Sequence, residues 1–249
     1  MRTAAVLVAC AAPALAHPIS SFDAGPEGWT YSTRTSASGY TDTVLAGVPA
    51  HIAAGGDPGG FIQVADPDAN WTFLEAPPAF LGDRRGAGAL RWSVRTNVNT
   101  FPDGGLVILS GGGVSISAMA GGLGGVNAWN QVGVAFESGV WGVGRSRAAA
   151  QSGVRATPAQ IAAVLADLGE MLICLEYGAT VPEEVVGVDA VRLEPACPAD
   201  WDLDAGVDVN DLLAFLGDFR AGSADADGDG ATSVSDLLAF LGAFRAGCP

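Results

Sequence analysis

The sequence predicts a mainly β fold: a jelly-roll β-sandwich body followed by a small α-helical module built from a tandem repeat. Three observations lead there. Glycine is abundant, 35 in 249 residues against a background of about 7%, and it gathers between short apolar runs. Those runs have strand length and are separated by turn clusters. After Pro195 the texture changes to an acidic segment that repeats itself at a spacing of 25 residues.

At the N-terminus, Arg2, the apolar segment Ala4 to Ala14 and the small-x-small triplet Ala14-Leu15-Ala16 have the form of an export signal over residues 1–16, cut before His17. No later apolar stretch approaches the roughly 20 residues that span a bilayer. The expectation is a protein without a membrane span, secreted or attached at the cell surface. The net charge is −15 and every basic side chain apart from two histidines is Arg. A nucleic-acid binder needs a basic stripe to displace phosphate counterions. None is visible, which excludes that class of partner.

The body spans residues 20–194. Its clearest strands are Gly60-Phe-Ile-Gln-Val64, Ala89-Leu-Arg-Trp-Ser-Val94, Gly105-Leu-Val-Ile-Leu109, Val132-Gly-Val-Ala-Phe136, Met171 to Tyr177 and Val186 to Leu193. Gly55 to Gly60, Asn99 to Gly104 and Ser110 to Gly113 supply turns, a density that suits a sandwich. One helix interrupts the strands. Thr157-Pro158-Ala159-Gln160 combines an N-cap, a proline at the first helical position and a capping-box glutamine, and an Ala/Leu run continues to about Leu168.

A short linker, 195–199, leads into the module at 200–249, with repeats at 200–222 and 225–247. The helical tails Leu212 to Gly222 and Leu237 to Gly247 differ at one residue, Asp218 against Ala243. Each repeat opens with the oxygen spacing of a twelve-residue calcium loop, with side chains at positions 1, 3, 5, 9 and 12 and a carbonyl at position 7. The first loop offers Asp200, Asp202, Asp204, the Gly206 carbonyl, Asp208 and Asp211; the second offers Asp225, Asp227, Asp229, the Ala231 carbonyl, Ser233 and Asp236. Two Ca2+ ions are expected, because hard oxygen ligands select calcium over zinc or copper. Ala205 stands at position 6, where glycine would turn freely, at a cost on the order of 1 kcal/mol. Position 12 is Asp in both loops, which suits a static site better than an opening switch.

The stripe Leu212, Phe215, Leu216, Phe219 and its copy Leu237, Phe240, Leu241, Phe244 follow helical spacing and are expected to form the module's core. Leu213 and Leu238 fall off the stripe and are candidates for a partner surface. Cys174, Cys197 and Cys248 remain after export, so one thiol is left over. Cys197 and Cys248 bracket the acidic segment and are the expected disulfide, worth about 4 kcal/mol. Cys174, within Met171-Leu-Ile-Cys-Leu175, is read as a small buried hydrophobe.

The tandem loop-helix repeat, from Cys197 to Pro249 and ending in Gly247-Cys248, resembles a dockerin of the planctomycete type. The resemblance implies a calcium-dependent attachment of the body to a cohesin-like protein or cell-surface scaffold, in a setting of polysaccharide breakdown. It places recognition at loop positions 10 and 11, here Val209-Asn210 and Val234-Ser235. The body is similar to a laminin B (laminin IV type A) domain. The residues that carry this are Ser21-Phe-Asp-Ala-Gly25 with Gly28-Trp29, Gly59 to Val64 with Asp66, Trp71 to Phe73, Ala76-Pro77, Phe80-Leu-Gly-Asp83, Trp141, and Gly187-Val-Asp189-Ala-Val-Arg-Leu193. That similarity implies a jelly roll of the carbohydrate-binding-module kind with no catalytic residues, and an extracellular glycan as a candidate ligand. Asp57, Asp66, Asp68 and Asp189 are candidates for a further structural calcium ion in the sandwich.

A hydrolytic triad would have to use His51, in a turn-rich stretch. A glycosidase of the paired-carboxylate kind would draw on Glu75, Asp83, Glu137 or Glu176, and nothing in the sequence pairs any two. Trp29, Trp71, Trp92, Trp129 and Trp141 read as sandwich core, with sugar stacking as the alternative use. The reading is therefore a noncatalytic modular protein; the alternative is a polysaccharide-degrading enzyme delivered by the same tail.

Overall fold

The computed structural model describes residues 18–101, 104–178, 184–226 and 231–247. The expected export segment 1–16, the expected ligands Asp227 and Asp229, and Cys248 lie outside the described residues. Among the described residues thirteen strands run in order: Ile19–Ser20 (β1), Thr30–Arg34 (β2), Thr43–Gly47 (β3), Ala50–Gly56 (β4), Gly59–Ala65 (β5), Trp71–Glu75 (β6), Ala87–Thr96 (β7), Leu106–Gly111 (β8), Val114–Met119 (β9), Asn130–Ala135 (β10), Gly142–Val143 (β11), Leu168–Cys174 (β12) and Val185–Pro195 (β13). Helices Arg147–Ser152 (α1) and Pro158–Ala166 (α2) precede β12; Val209–Ala221 (α3) and Val234–Ala246 (α4) close the chain.

Two antiparallel sheets result. One has the order β10-β7-β13-β5-β4, with β1 also paired to β13; the other has β11-β9-β8-β12-β6-β2-β3. Their facing sides make one dry cluster. Leu90, Trp92 and Val94 of β7, Ile62 of β5 and Val188 of β13 meet Leu74, Val107, Leu109, Ile116 and Ile173 from the opposite sheet. Trp29 and Trp141 are also fully buried there, whereas Trp71 and Trp129 are partly exposed.

The second sheet is buried on its outer side as well. Phe73, Leu106, Ile108, Leu172 and Cys174 form a separate cluster with Tyr40 and with Ala150 of α1. That is why β8 and β12 read as unbroken apolar runs rather than alternating ones. The predicted capping box at Thr157 is present, with Gln160 returning to the cap, and Ile161, Val164 and Leu165 of α2 join the main cluster. Beside it, Arg34 is buried because it bonds Glu75 at 2.5 Å, Glu170 at 2.9 Å and the Tyr40 carbonyl at 2.9 Å. Arg145 grips the same Glu170. Glu170 is held below the usual carboxylate range: burial pushes it up, but the two guanidinium groups outweigh that.

At one end of the sandwich, two carboxyls are held the other way. Glu176 accepts the Thr72 amide at 3.0 Å, and Glu184 accepts those of Tyr177 at 2.8 Å and Gly178 at 3.2 Å. Burial pushes Glu176 up to about 8 and Glu184 up to about 7, and nearby Asp66 adds to both. The folded chain therefore keeps protons that the unfolded chain releases near pH 4.3. This contribution to stability is complete below that value and is lost as pH rises through 7 to 8. The melting temperature should fall between pH 5.5 and 8.5, and Glu176→Gln should flatten the fall in thermal scans across that range.

Candidate cation loops and docking faces

The first loop gathers its carboxylates by backbone hydrogen bonds. Asp200 accepts the amides of Asp204 at 3.1 Å and Ala205 at 3.0 Å. Asp211 accepts those of Asp202 at 3.2 Å and Asp208 at 2.7 Å. One oxygen each of Asp200, Asp202 and Asp204 lies within 4.8 Å of the others. Asp200 and Asp202 are pushed up to about 6, first by burial and then by the charge of Asp211. This all-oxygen donor set, crowded and partly desolvated, fits a hard divalent cation. Asp208 doubles as the N-cap of α3 and Asp211 closes its capping box; Ser233 and Asp236 do the same for α4. Asp236 also accepts the Ala226 amide at 2.8 Å. In the second loop, Asp225, Ala231, Ser233 and Asp236 are described, and Asp236 is fully buried.

Ala205 takes the left-handed conformation at φ 70°, and so does Leu203 at φ 62°. Leu203 was missed as a functional residue. Its side chain is fully buried in the main cluster of the sandwich, so the first loop is plugged into the body. The Gly86 amide donates to the Leu203 carbonyl at 3.0 Å, and the Gly86 carbonyl accepts the Ala196 amide at 2.7 Å. A Cβ on Gly86 would come within 1.9 Å of Asp200 Oδ2, so glycine is required for this approach. The signal was present in the sequence: an apolar residue at loop position 4, where the copy has Gly228.

The helices pack through Phe215 and Phe240, stacked 4.2 Å apart and both edge-on to Trp201. Leu212, Leu237, Phe219 and Phe244 are partly buried against them. Leu216 and Leu241 are not core, contrary to expectation: they are 43% and 41% exposed. Two helices bury only a narrow strip of each other, and the stacked phenylalanines take it. Val209, Leu213 and Leu216 thus form an exposed apolar row on α3, and Val234, Leu238 and Leu241 the same row on α4. Asn210 and Ser235 are exposed beside them. Cys197 is disulfide-bonded and Cys174 is a buried free thiol.

Of the carboxylates considered for hydrolysis, Glu75 is held by Arg34, Asp83 by Arg85 at 2.6 Å, and Glu176 by the Thr72 amide, while Glu137 is exposed at the surface. His51 Nε2 lies 2.8 Å from the Phe22 carbonyl. Asp189 is buried and accepts the amides of Asp57 at 2.5 Å and Ala190 at 2.7 Å. Asp66 and Asp68 lie instead near Thr72 and Thr33, to which each is bonded.

Residues 73–207 match the family model Laminin B (Domain IV). The match covers more than half of the chain, which therefore belongs to the Laminin B (Domain IV) family. Among solved structures, the L4b domain of human laminin alpha-2 is similar at a TM-score of 0.51 and 11% identity, covering 73% of this chain and 98% of that one. It shares the fold. An exo-β-agarase (TM-score 0.45, 11% identity, 72% of this chain and 25% of that one) and a family 11 carbohydrate-binding module of a cellulosomal cellulase of Clostridium thermocellum (0.38, 13%, 59% and 81%) are looser likenesses. No curated protein matches the sequence. Among the described residues, no helix is long and apolar enough to cross a membrane.

The buried plug gives a direct test. Leu203→Ala should cost about 2–4 kcal/mol and lower the melting temperature of the body, followed by tryptophan fluorescence. Leu216→Ala, on the exposed row, should stay within about 0.5 kcal/mol of the parent.

Proposed function

We propose that this is a secreted, noncatalytic modular protein. Its Laminin B sandwich is the displayed binding unit, and its C-terminal repeats form a dockerin-like tail that binds two Ca2+ ions and attaches the sandwich to a cohesin-like partner outside the cell. The observation that carries this reading is the pair of exposed apolar rows. Val209, Leu213 and Leu216 recur as Val234, Leu238 and Leu241 at the same repeat positions, so either helix offers a partner the same face. Isolated exposed leucines need no explanation, whereas two matching rows point to a surface that another protein covers. The oxygen cluster of the first loop and the buried Asp236 of the second support calcium as what sets the helix starts. A bond from Cys197 to Cys248 would close the tail upon itself. The engagement of Glu75, Asp83 and Glu176 by neighbouring groups supports a body without hydrolytic chemistry.

Calorimetric titration of the full chain with Ca2+ should reveal two sites. Asp211→Ala should remove one of them, and Asp236→Ala the other. Cohesin-type modules on beads should retain the chain with calcium and release it with chelator. Because the rows are equivalent, Leu213→Asp or Leu238→Asp alone should weaken retention only about twofold, the statistical factor for losing one of two sites, and the double variant should abolish it. Absence of calcium heat in the parent chain would refute the tethering role.

A further inference from the structure

The outer face of the first sheet is the polar side of the sandwich, and one arginine on it stands apart. Among the described arginines of the sandwich, Arg34, Arg85, Arg91, Arg145 and Arg192 each meet a carboxylate. Arg84 and Arg155 donate to backbone carbonyls, and Arg147, on α1 beside the other sheet, lies over the Phe101 ring and has further partners. Arg95 does neither. Its guanidinium lies 4.8 Å from the centroid of Phe61 and 5.0 Å from that of Trp129. These rings fix the orientation of a planar cation and leave its N–H donors without acceptors among the described residues.

The pairing of the strands builds a groove at this point. Gly187 of β13 lies opposite Arg95 of β7 on one side and opposite Gln63 of β5 on the other. A Cβ on Gly187 would come within 3.2 Å of both Phe61 and Trp129. Glycine therefore admits the aromatic pair and leaves a dip between Gln63 and Arg95. The dip opens into a groove of about 260 Å³ lined by Gln63, Arg95, Asn97, Asn127, Val185 and Gly187. The side-chain carboxamides of Gln63 and Asn127 have no protein partner among the described residues. Each offers a donor and an acceptor side by side.

We propose that this groove binds one acidic sugar residue of an extracellular polysaccharide. Arg95 takes the carboxylate or sulfate, and Gln63 and Asn127 take the adjacent hydroxyls. The chemistry follows from the groups present. A stacked, oriented guanidinium with free donors is suited to a bidentate oxyanion, and carboxamides match neutral hydroxyls. The volume falls just below the roughly 300–1,000 Å³ of drug-sized pockets, which suits a single ring of a longer chain running over the open face. The acidity of the protein does not forbid this. Ten of its Asp residues lie in 200–249, and exposed charges beyond a Debye length of about 8–10 Å are screened.

This assignment rests on the reading of the sandwich as a binding unit and names its ligand class. The test is affinity electrophoresis and calorimetry of the full chain with polygalacturonate, dextran sulfate, neutral pullulan and poly-glutamate. Binding to at least one acidic polysaccharide is expected, weakening as salt rises, with the two acidic probes separating carboxylate from sulfate recognition. Arg95→Ala should lower affinity about tenfold or more and Arg95→Lys less, while Asn127→Gly, which removes the carboxamide and suits the left-handed backbone at that residue (φ 56°), should lower it severalfold with little change in the melting temperature. Asp211→Ala, in the tail, should leave it unchanged. Equal binding by the parent and Arg95→Ala, equal binding of poly-glutamate, or binding of pullulan alone would overturn the groove while leaving the sandwich a binding unit. Binding to none of the four probes would overturn the groove, and the calcium-dependent retention of the tail would still stand as a separate result.

Discussion

The burial of Leu203 inside the sandwich is the contact on which the arrangement of the chain turns. An acidic loop has little reason to lie against an apolar body, because desolvating carboxylates is costly. Leu203 reverses that balance locally. It enters the main cluster with no exposure, while the Leu203 carbonyl accepts the Gly86 amide, so the backbone polar group carried inward is satisfied. Asp200 comes with it and is itself buried. The first loop thereby inherits an orientation from the sheets, and α3 starts from a fixed point.

The two sheets have different outer faces, and the difference divides structure from function. The sheet containing β8 and β12 is covered on both sides, by the main cluster within and by Tyr40, Phe73 and Ala150 without. On its outer side Arg34 and Arg145 both engage Glu170. The sheet containing β7 and β13 has one dry face only. Its outward residues, Gln63, Arg91, Arg95 and Gln131, alternate with buried Ile62, Trp92, Val94 and Val132, the pattern expected where one side meets water. Ligand chemistry is therefore available on this face.

How much of this was legible depended on range. The central strands β5, β7, β8, β10, β12 and β13 were visible because β-branched and leucine-rich runs end at glycine turns. The outlying β2, β3 and β4 were not: Thr30–Arg34 is polar, and Ala50–Gly56 is too rich in small residues to announce a strand. The convergence of Asp200, Asp202 and Asp204 was readable from their alternate spacing in contiguous sequence. The apolar period of the helices was readable too, but not which part of the stripe would be covered, so Leu216 and Leu241 were assigned inward. The Arg95 groove left no trace at all. Its residues come from positions 63, 95, 127 and 187, and only strand pairing brings them to one place.

The helices of the two repeats differ at two positions, Asn210 against Ser235 in the first turn and Asp218 against Ala243 further on, and the second difference has a physical reason. Asp218 against Ala243 is the single difference between the helical tails, and Asp218 accepts the Trp201 indole N–H at 2.8 Å. The copy has Ala226 where the first repeat has Trp201, so the second helix has no indole to satisfy and no need of a carboxylate. The loops diverge by the same logic. Leu203 and Ala205 bear side chains at left-handed positions where the copy has Gly228 and Gly230. At Leu203 the cost of roughly 1 kcal/mol for such a residue is outweighed by burying a leucine, worth about 1.5–3 kcal/mol. A repeat that touched nothing would keep its glycines, and one welded to a sheet has a use for the side chain. Packing within the chain does not impose the near-identity of the exposed helix faces, and the attachment proposed above would: both would meet the same external surface.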